Sequence, residues 1–244
     1  MNRRAVLILA IVIPLLIVPV LGVTISTPNS SRKLNLDGVG FGGCTNQTSS
    51  CQATFSTSTP NDIIIVFATE VLDVQLSCNF SITDSANLTW TARTAIVFGN
   101  NGRDEIQEFW ASSTSALSSD IVTESLLGCG NEYNNVQVFG ISGANFNTPF
   151  DSSSAVPGSA SGFSGGTSVT ISTTHRNDFV FAYVSHGGAE VPVPQPGFTV
   201  ITCGGARCGA FEITRSQLTN FAVTFGDSTV ANWEEIADAV QSNH

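Results

Sequence analysis

Gly162-Phe163-Ser164-Gly165-Gly166 has the G-x-S-x-G spacing of a nucleophile elbow, in which a tight strand-to-helix turn presents a serine to a carbonyl carbon. A Ser/Gly-rich run precedes this motif and a strand-like segment, Ser168–Thr173, follows it, so the pattern reads as a glycine-rich loop. Glycoside hydrolysis needs two carboxyl groups flanking one bond, and Glu105, Glu108, Glu234 and Glu235 are the candidates. On a strand, Glu105 and Glu108 point to opposite faces, as do Glu234 and Glu235. Glu108 and Glu235 could be brought together across an internal repeat, but all four read as surface or edge residues. Three histidines are present and His244 is terminal. His186 with Glu190 has the donor types of a metal site, but His175 and His186 both read as solvated loop residues. Sugar-binding platforms use Trp or Tyr with a polar handle. With 3 Trp and 2 Tyr against 16 Phe, and with Trp90, Trp110 and Trp233 inside apolar runs, the aromatic residues read as core. No catalytic residue, metal ligand or cofactor is assigned.

Six cysteines, Cys44, Cys51, Cys78, Cys129, Cys203 and Cys208, form an even set, and in an exported chain such a set forms disulfides. Of the possible pairings, Cys44–Cys51 and Cys203–Cys208 would close short hairpin-like loops, and Cys78–Cys129 would tie two distant strands. Export is indicated by Arg3-Arg4 followed by an uncharged apolar run from Ala5 to Val23, which is either a signal peptide cleaved after Gly22 or a membrane anchor. Residues 23–35 then form an extended tether and 36–244 one globular domain. Removing the first 23 residues takes away two arginines, leaving 7 basic residues against 19 acidic ones, a net charge of −12. That balance excludes nucleic acid as a partner and leaves membrane contact only through residues 5–23, if they are retained. Four N-x-[ST] sequons, at Asn29, Asn46, Asn79 and Asn87, are candidate glycan acceptors on an extracellular or cell-surface protein.

The body is rich in Val, Ile, Thr and Phe runs punctuated by Gly, Asn, Asp, Pro and Ser, the pattern of an all-β antiparallel fold. Thr54–Glu70, TFSTSTPNDIIIVFATE, is matched 116 residues later by Thr170–His186, TISTTHRNDFVFAYVSH. In each, an Asn-Asp turn leads into a strand that is apolar on both faces and so is central. The match continues from Phe109–Thr123 to Phe211–Thr224. Each half has too few strands to close its own core, which predicts two halves facing each other as a two-sheet, jelly-roll-like sandwich. Asn145–Gly166 would be the crossover between them.

The order S/T-x-x-N-D-hydrophobic, DSANLTWT (Asp84–Thr91), EFW (Glu108–Trp110), VFGISGAN with PFD (Val138–Asp151) and a closing NWEEIADAV resembles a β-sandwich module of uncharacterised secreted and surface proteins of archaea and bacteria. The resemblance implies an extracellular jelly-roll module and carries over no catalytic residues. Three functions follow as expectations. The first is a non-enzymatic surface protein for structure or adhesion. The second is a filament subunit that donates residues 23–37 as a strand to another copy of itself. The third is a secreted protein that binds or cleaves surface glycans.

Overall fold

The computed structural model describes residues 33–71, 79–97, 104–128 and 132–243, with the backbone alone at 45–47, 104 and 132. The apolar segment 5–23, Asn29, Cys78 and Cys129 lie outside the described residues. The described part is all-β, with antiparallel pairing throughout.

Eight strands make the first half: β1 (Asn35–Thr48), β2 (Ser50–Phe55), β3 (Asp62–Val71), β4 (Asn79–Asp84), β5 (Thr91–Val97), β6 (Asp104–Ser113), β7 (Asp120–Leu127) and β8 (Glu132–Ser142). They form a five-stranded sheet, β1-β8-β3-β6-β5, and a three-stranded sheet, β2-β7-β4. The second half contains β9 (Gly158–Ile171), β10 (Phe179–His186), β11 (Val193–Pro194), β12 (Thr199–Gly204), β13 (Arg207–Ile213) and β14 (Phe221–Val240). Here two long strands serve in both layers. Gly158–Ser164 of β9 pairs with Ala231–Ala237 of β14 beside β10, β13 and β12. Beyond a register shift between Gly226 and Ala231, Gly166–Ile171 pairs with Phe221–Gly226, whose other edge meets β11. Position for position, the second half repeats the five-plus-three order of the first.

The expectation of a two-sheet sandwich is therefore corrected to four layers, because each half closes a core of its own. Ile64, Val66 and Ala68 of β3 pack against Ala53, Phe55, Ile82 and Val122 in the first half. Val180, Ala182 and Val184 of β10 pack against Val169, Ile171, Val223 and Phe225 in the second. The alternate residues Ile63, Ile65 and Phe67 meet Phe179, Phe181 and Tyr183 in a third, central core between the two five-stranded sheets. A strand covered on both faces has no polar side, which explains the unbroken apolar runs. In the central core Phe67 stacks on Tyr183 at 4.8 Å, Phe179 stacks on Phe211 at 4.6 Å, and the Thr69 and Tyr183 hydroxyls hydrogen-bond across the halves at 2.9 Å.

The repeat extends to single hydrogen bonds. Thr57 N donates to Leu117 O and Thr173 N to Leu218 O, both near 3 Å. Leu117 N and Leu218 N donate back to the hydroxyls of Thr57 (2.9 Å) and Thr173 (3.0 Å). Asn61 and Asn177, each before the aspartate that leads into a central strand, have φ of 62° and 61°, a left-handed conformation that Asn tolerates.

Two elements differ from the sequence reading. The Gly-rich β1 carries too few β-branched residues to be expected as a strand. Its glycines are required by proximity to β2, since a Cβ on Gly42 would stand 2.0 Å from Gln52 O. The expected crossover Asn145–Gly166 becomes strand from Gly158. Within it Gly162 makes room for the Trp233 ring, from which a Cβ would stand only 2.8 Å away.

Truncating Phe181 to Ala, at the junction of both five-stranded sheets, is expected to cost about 3–5 kcal/mol in chemical unfolding. Phe163→Ala, at a residue 69% exposed, should change stability by no more than about 0.5 kcal/mol.

Candidate functional site

Ser164 lies within β9, opposite Ala231 of β14, and no strand-to-helix turn presents it. Its hydroxyl donates to Gly166 O and accepts from Trp233 Nε1 at 2.8 Å. His186 and Asp227 lie beside it. His186 Nε2 lies 3.1 Å from Ser164 O, and its Nδ1 lies 3.2 Å from Asp227 Oδ2 while accepting from Gly188 N at 3.0 Å. The side chains of His186 and Asp227 are sealed, at 0% and 1% exposure. The composition is that of a catalytic triad and the geometry is not. The imidazole faces the serine carbonyl, and the hydroxyl proton is committed elsewhere, so no base is aimed at the nucleophile. The group instead braces the place where β9 and β14 change layers. His186 is thus a buried residue rather than a solvated one, and Glu190 serves the Ser228 hydroxyl rather than His186. The sequence placed His186 at the end of the matched apolar run, where the first half has Glu70, and the structure buries both.

The four glutamates are also interior, which corrects their reading as surface or edge residues. Glu108 sits opposite Phe67 and Asp238 opposite Phe181, so both face the central core. Arg93 clamps Asp238, with Nε 2.8 Å and Nη2 3.3 Å from the two oxygens, and its guanidinium lies 4.0 Å above the Phe150 ring. Burial, then the charge of Asp238, holds the Glu108 carboxyl well above its ordinary pKa. Glu235 sits opposite Val184, faces the second-half core instead, and accepts a bond from the Thr167 hydroxyl. Glu108 and Glu235 therefore belong to different layers and cannot flank one bond.

Burial pushes Glu235 up to about 8 and Glu105 to about 7. Burial, then the nearby Glu70, pushes Glu124 up to about 9. Two aspartates go the other way. Although burial opposes it, bonds from Ser58 and Thr59 lower Asp37, and bonds from Ser153, His175 and Thr174 lower Asp151.

The tryptophans offer no flat platform to solvent. Trp90 donates to Asp84 at 2.6 Å, Trp110 meets the Phe150 ring edge-on at 5.4 Å, and Trp233 is buried. An open apolar groove of about 550 Å³ runs between the halves, lined by Phe41, Val71, Tyr133, Gly204 and Arg207. Disulfides Cys44–Cys51 and Cys203–Cys208 are formed, with Cα atoms 5.8 Å and 4.1 Å apart, and Cys44 also lines the groove. Asn79 and Asn87 are exposed.

Comparison with known proteins returns no match among family models, curated proteins or solved structures.

The buried glutamates set a pH dependence. A carboxyl whose pKa is raised on folding binds its proton more tightly in the native state, so stability falls as pH rises from about 4.5 toward 9. The lowered Asp37 and Asp151 act oppositely, and their contribution is lost as pH falls below about 3.8. Thermal unfolding is expected to show a maximum Tm near pH 4 and a steady decline to pH 9. Glu124→Gln with Glu235→Gln should flatten that decline.

Proposed function

We propose that the protein is a non-enzymatic component of the cell surface or its surroundings, acting in structure or adhesion. The observation that carries this reading is where the chemistry-bearing side chains lie. Glu105, Glu108, Glu234 and Glu235 are buried, Glu108 and Glu235 face different cores, and the Ser164 hydroxyl and the His186 ring at the layer change are committed to other partners. A hydrolase would need an acid and a base facing a solvent-filled cleft. The two short-loop disulfides support an oxidising compartment, and exposed Asn79 and Asn87 support glycan attachment.

The likeness to secreted β-sandwich modules agrees with this reading. The strand-donation reading has less support. Among the described residues the two halves match strand for strand, so neither half lacks a strand that the other has.

The described chain starts beside the end of β8, where Asn35 pairs with Ser142. Five-stranded sheets of 8- to 11-residue strands such as β10 and β8 reach about 25–35 Å from that end. The groove beside Phe41 and Tyr133 lies at the far end.

Intact-mass analysis of native protein under non-reducing conditions is expected to show no free thiol, an N-terminus at Val23 or a retained anchor, and glycan mass that drops with Asn79→Gln and Asn87→Gln. Surface labelling of whole cells with a non-permeant reagent should modify the protein. Fully reduced cysteines, or exclusion from the label, would reject the reading.

A further inference from the structure

Asp151, His175 and Asp178 place two carboxylate oxygens and a ring nitrogen within 4.8 Å of one another, the one such grouping of three among the described residues. An acidic cluster alone would mean little. The second observation is Asp178, whose side chain is fully buried and whose two oxygens, like those of Glu108 and Glu124, have no hydrogen-bond partner. The neighbouring hydroxyls are already committed. Thr173 donates to His175 O at 3.1 Å, and Thr214 pairs with the Asp178 main chain, accepting from its N at 3.1 Å. A buried carboxyl left without a donor is costly unless something neutralises it.

The first half supplies an internal comparison. There Asp37, Thr59 and Asp62 occupy the places of Asp151, His175 and Asp178. The Thr59 hydroxyl stands between the carboxyls, 2.8 Å from Asp37 and 2.9 Å from Asp62. Asp37 is held by the main-chain N–H groups of Ser58 and Thr59 at 2.8 and 2.9 Å. Asp151 is held the same way by Thr174 and His175, at 2.8 and 3.0 Å. The second half keeps this scaffold and exchanges the bridging hydroxyl for an imidazole. That exchange takes the hydroxyl away from the second carboxyl and adds a nitrogen that binds metals.

We propose that Asp151, His175 and Asp178 bind one divalent transition cation of the zinc type, with water completing its shell. One imidazole and two carboxylates suit zinc, whereas calcium and magnesium sites are built from oxygen donors. Both aspartates are sealed and His175 is 36% exposed, so the ion enters past the imidazole. His175 Nδ1 lies 2.9 Å from Asp151 Oδ2. Bound there, the cation ties the segment between β8 and β9 to the turn that leads into β10.

The test is calorimetric titration of purified, tag-free protein, stripped with chelator, with zinc chloride at neutral pH. Thermal unfolding is followed in parallel with zinc, calcium and magnesium. One equivalent of zinc is expected to bind and to raise Tm, reversibly by chelator, while calcium and magnesium leave Tm unchanged. His175→Thr, which installs the residue that the first half already tolerates, should weaken zinc binding by about tenfold or more and leave the metal-free Tm close to that of the parent. Asp178→Asn should do the same to binding. Thr59→His should create a second equivalent. Failure of the parent protein to bind zinc, or unchanged affinity in both His175→Thr and Asp178→Asn, would overturn the proposal. Equal stabilisation by calcium that survives His175→Thr would overturn it too.

Discussion

The whole architecture follows from two strands that have no face for water. Every residue of Ile63–Phe67 and of Phe179–Val184 is fully buried, with odd-numbered side chains turned to one layer and even-numbered ones to another. Each such Val, Ile or Phe contributes about 1.5–3 kcal/mol when buried, and only if a sheet lies on both sides. A two-layered sandwich would leave one side of each strand wet. Stacking five-stranded sheets back to back, each capped by three strands, removes that exposure. The Phe67–Tyr183 stack and the Thr69–Tyr183 bond then fix how one half sits on the other.

Much of this plan was legible in the residues. The two unbroken apolar runs marked the central strands, the Asn-Asp steps marked the turns into them, and the 116-residue spacing marked the duplication. What was not legible depended on distance between strands rather than on residue type. β1 is rich in Gly, and the first part of β9 is built largely from Gly, Ser and Ala, where another backbone or the Trp233 ring lies against them. Propensity reads such segments as loop. Alternation also told which face a glutamate occupied without telling whether a further layer covered that face, so Glu108 and Glu235 read as solvated when both are buried.

The candidate chemistry was harder to read still. Ser164, His186 and Asp227 meet because β9 and β14 shift register at one place, a feature that no local motif encodes. The G-x-S-x-G match and the actual neighbours of Ser164 are unrelated facts. His175 was visible as a departure from the repeat, standing where the first half has Thr59. Its meaning came only with the positions of Asp151 and Asp178, of which the first comes from a different segment of the chain. Comparing the halves as structures, hydrogen bond by hydrogen bond, separates what the scaffold needs from what one copy has added.

Duplication also bears on how the chain folds. Two units with one strand order share a polypeptide, so during folding the nearest competitor for any strand is its own counterpart in the other unit, and exchanged pairings are the characteristic failure of such repeats. Side-chain volume works against exchange. β3 presents Ile63 and Ile65 to the central core where β10 presents Phe179 and Phe181, so a swapped strand would leave voids on one side and crowding on the other. The Cys44–Cys51 and Cys203–Cys208 bridges, spanning 7 and 5 residues, each lock a neighbouring pair within its own unit. Divergence between the copies is therefore itself a folding instruction, one that keeps each strand with its proper partners.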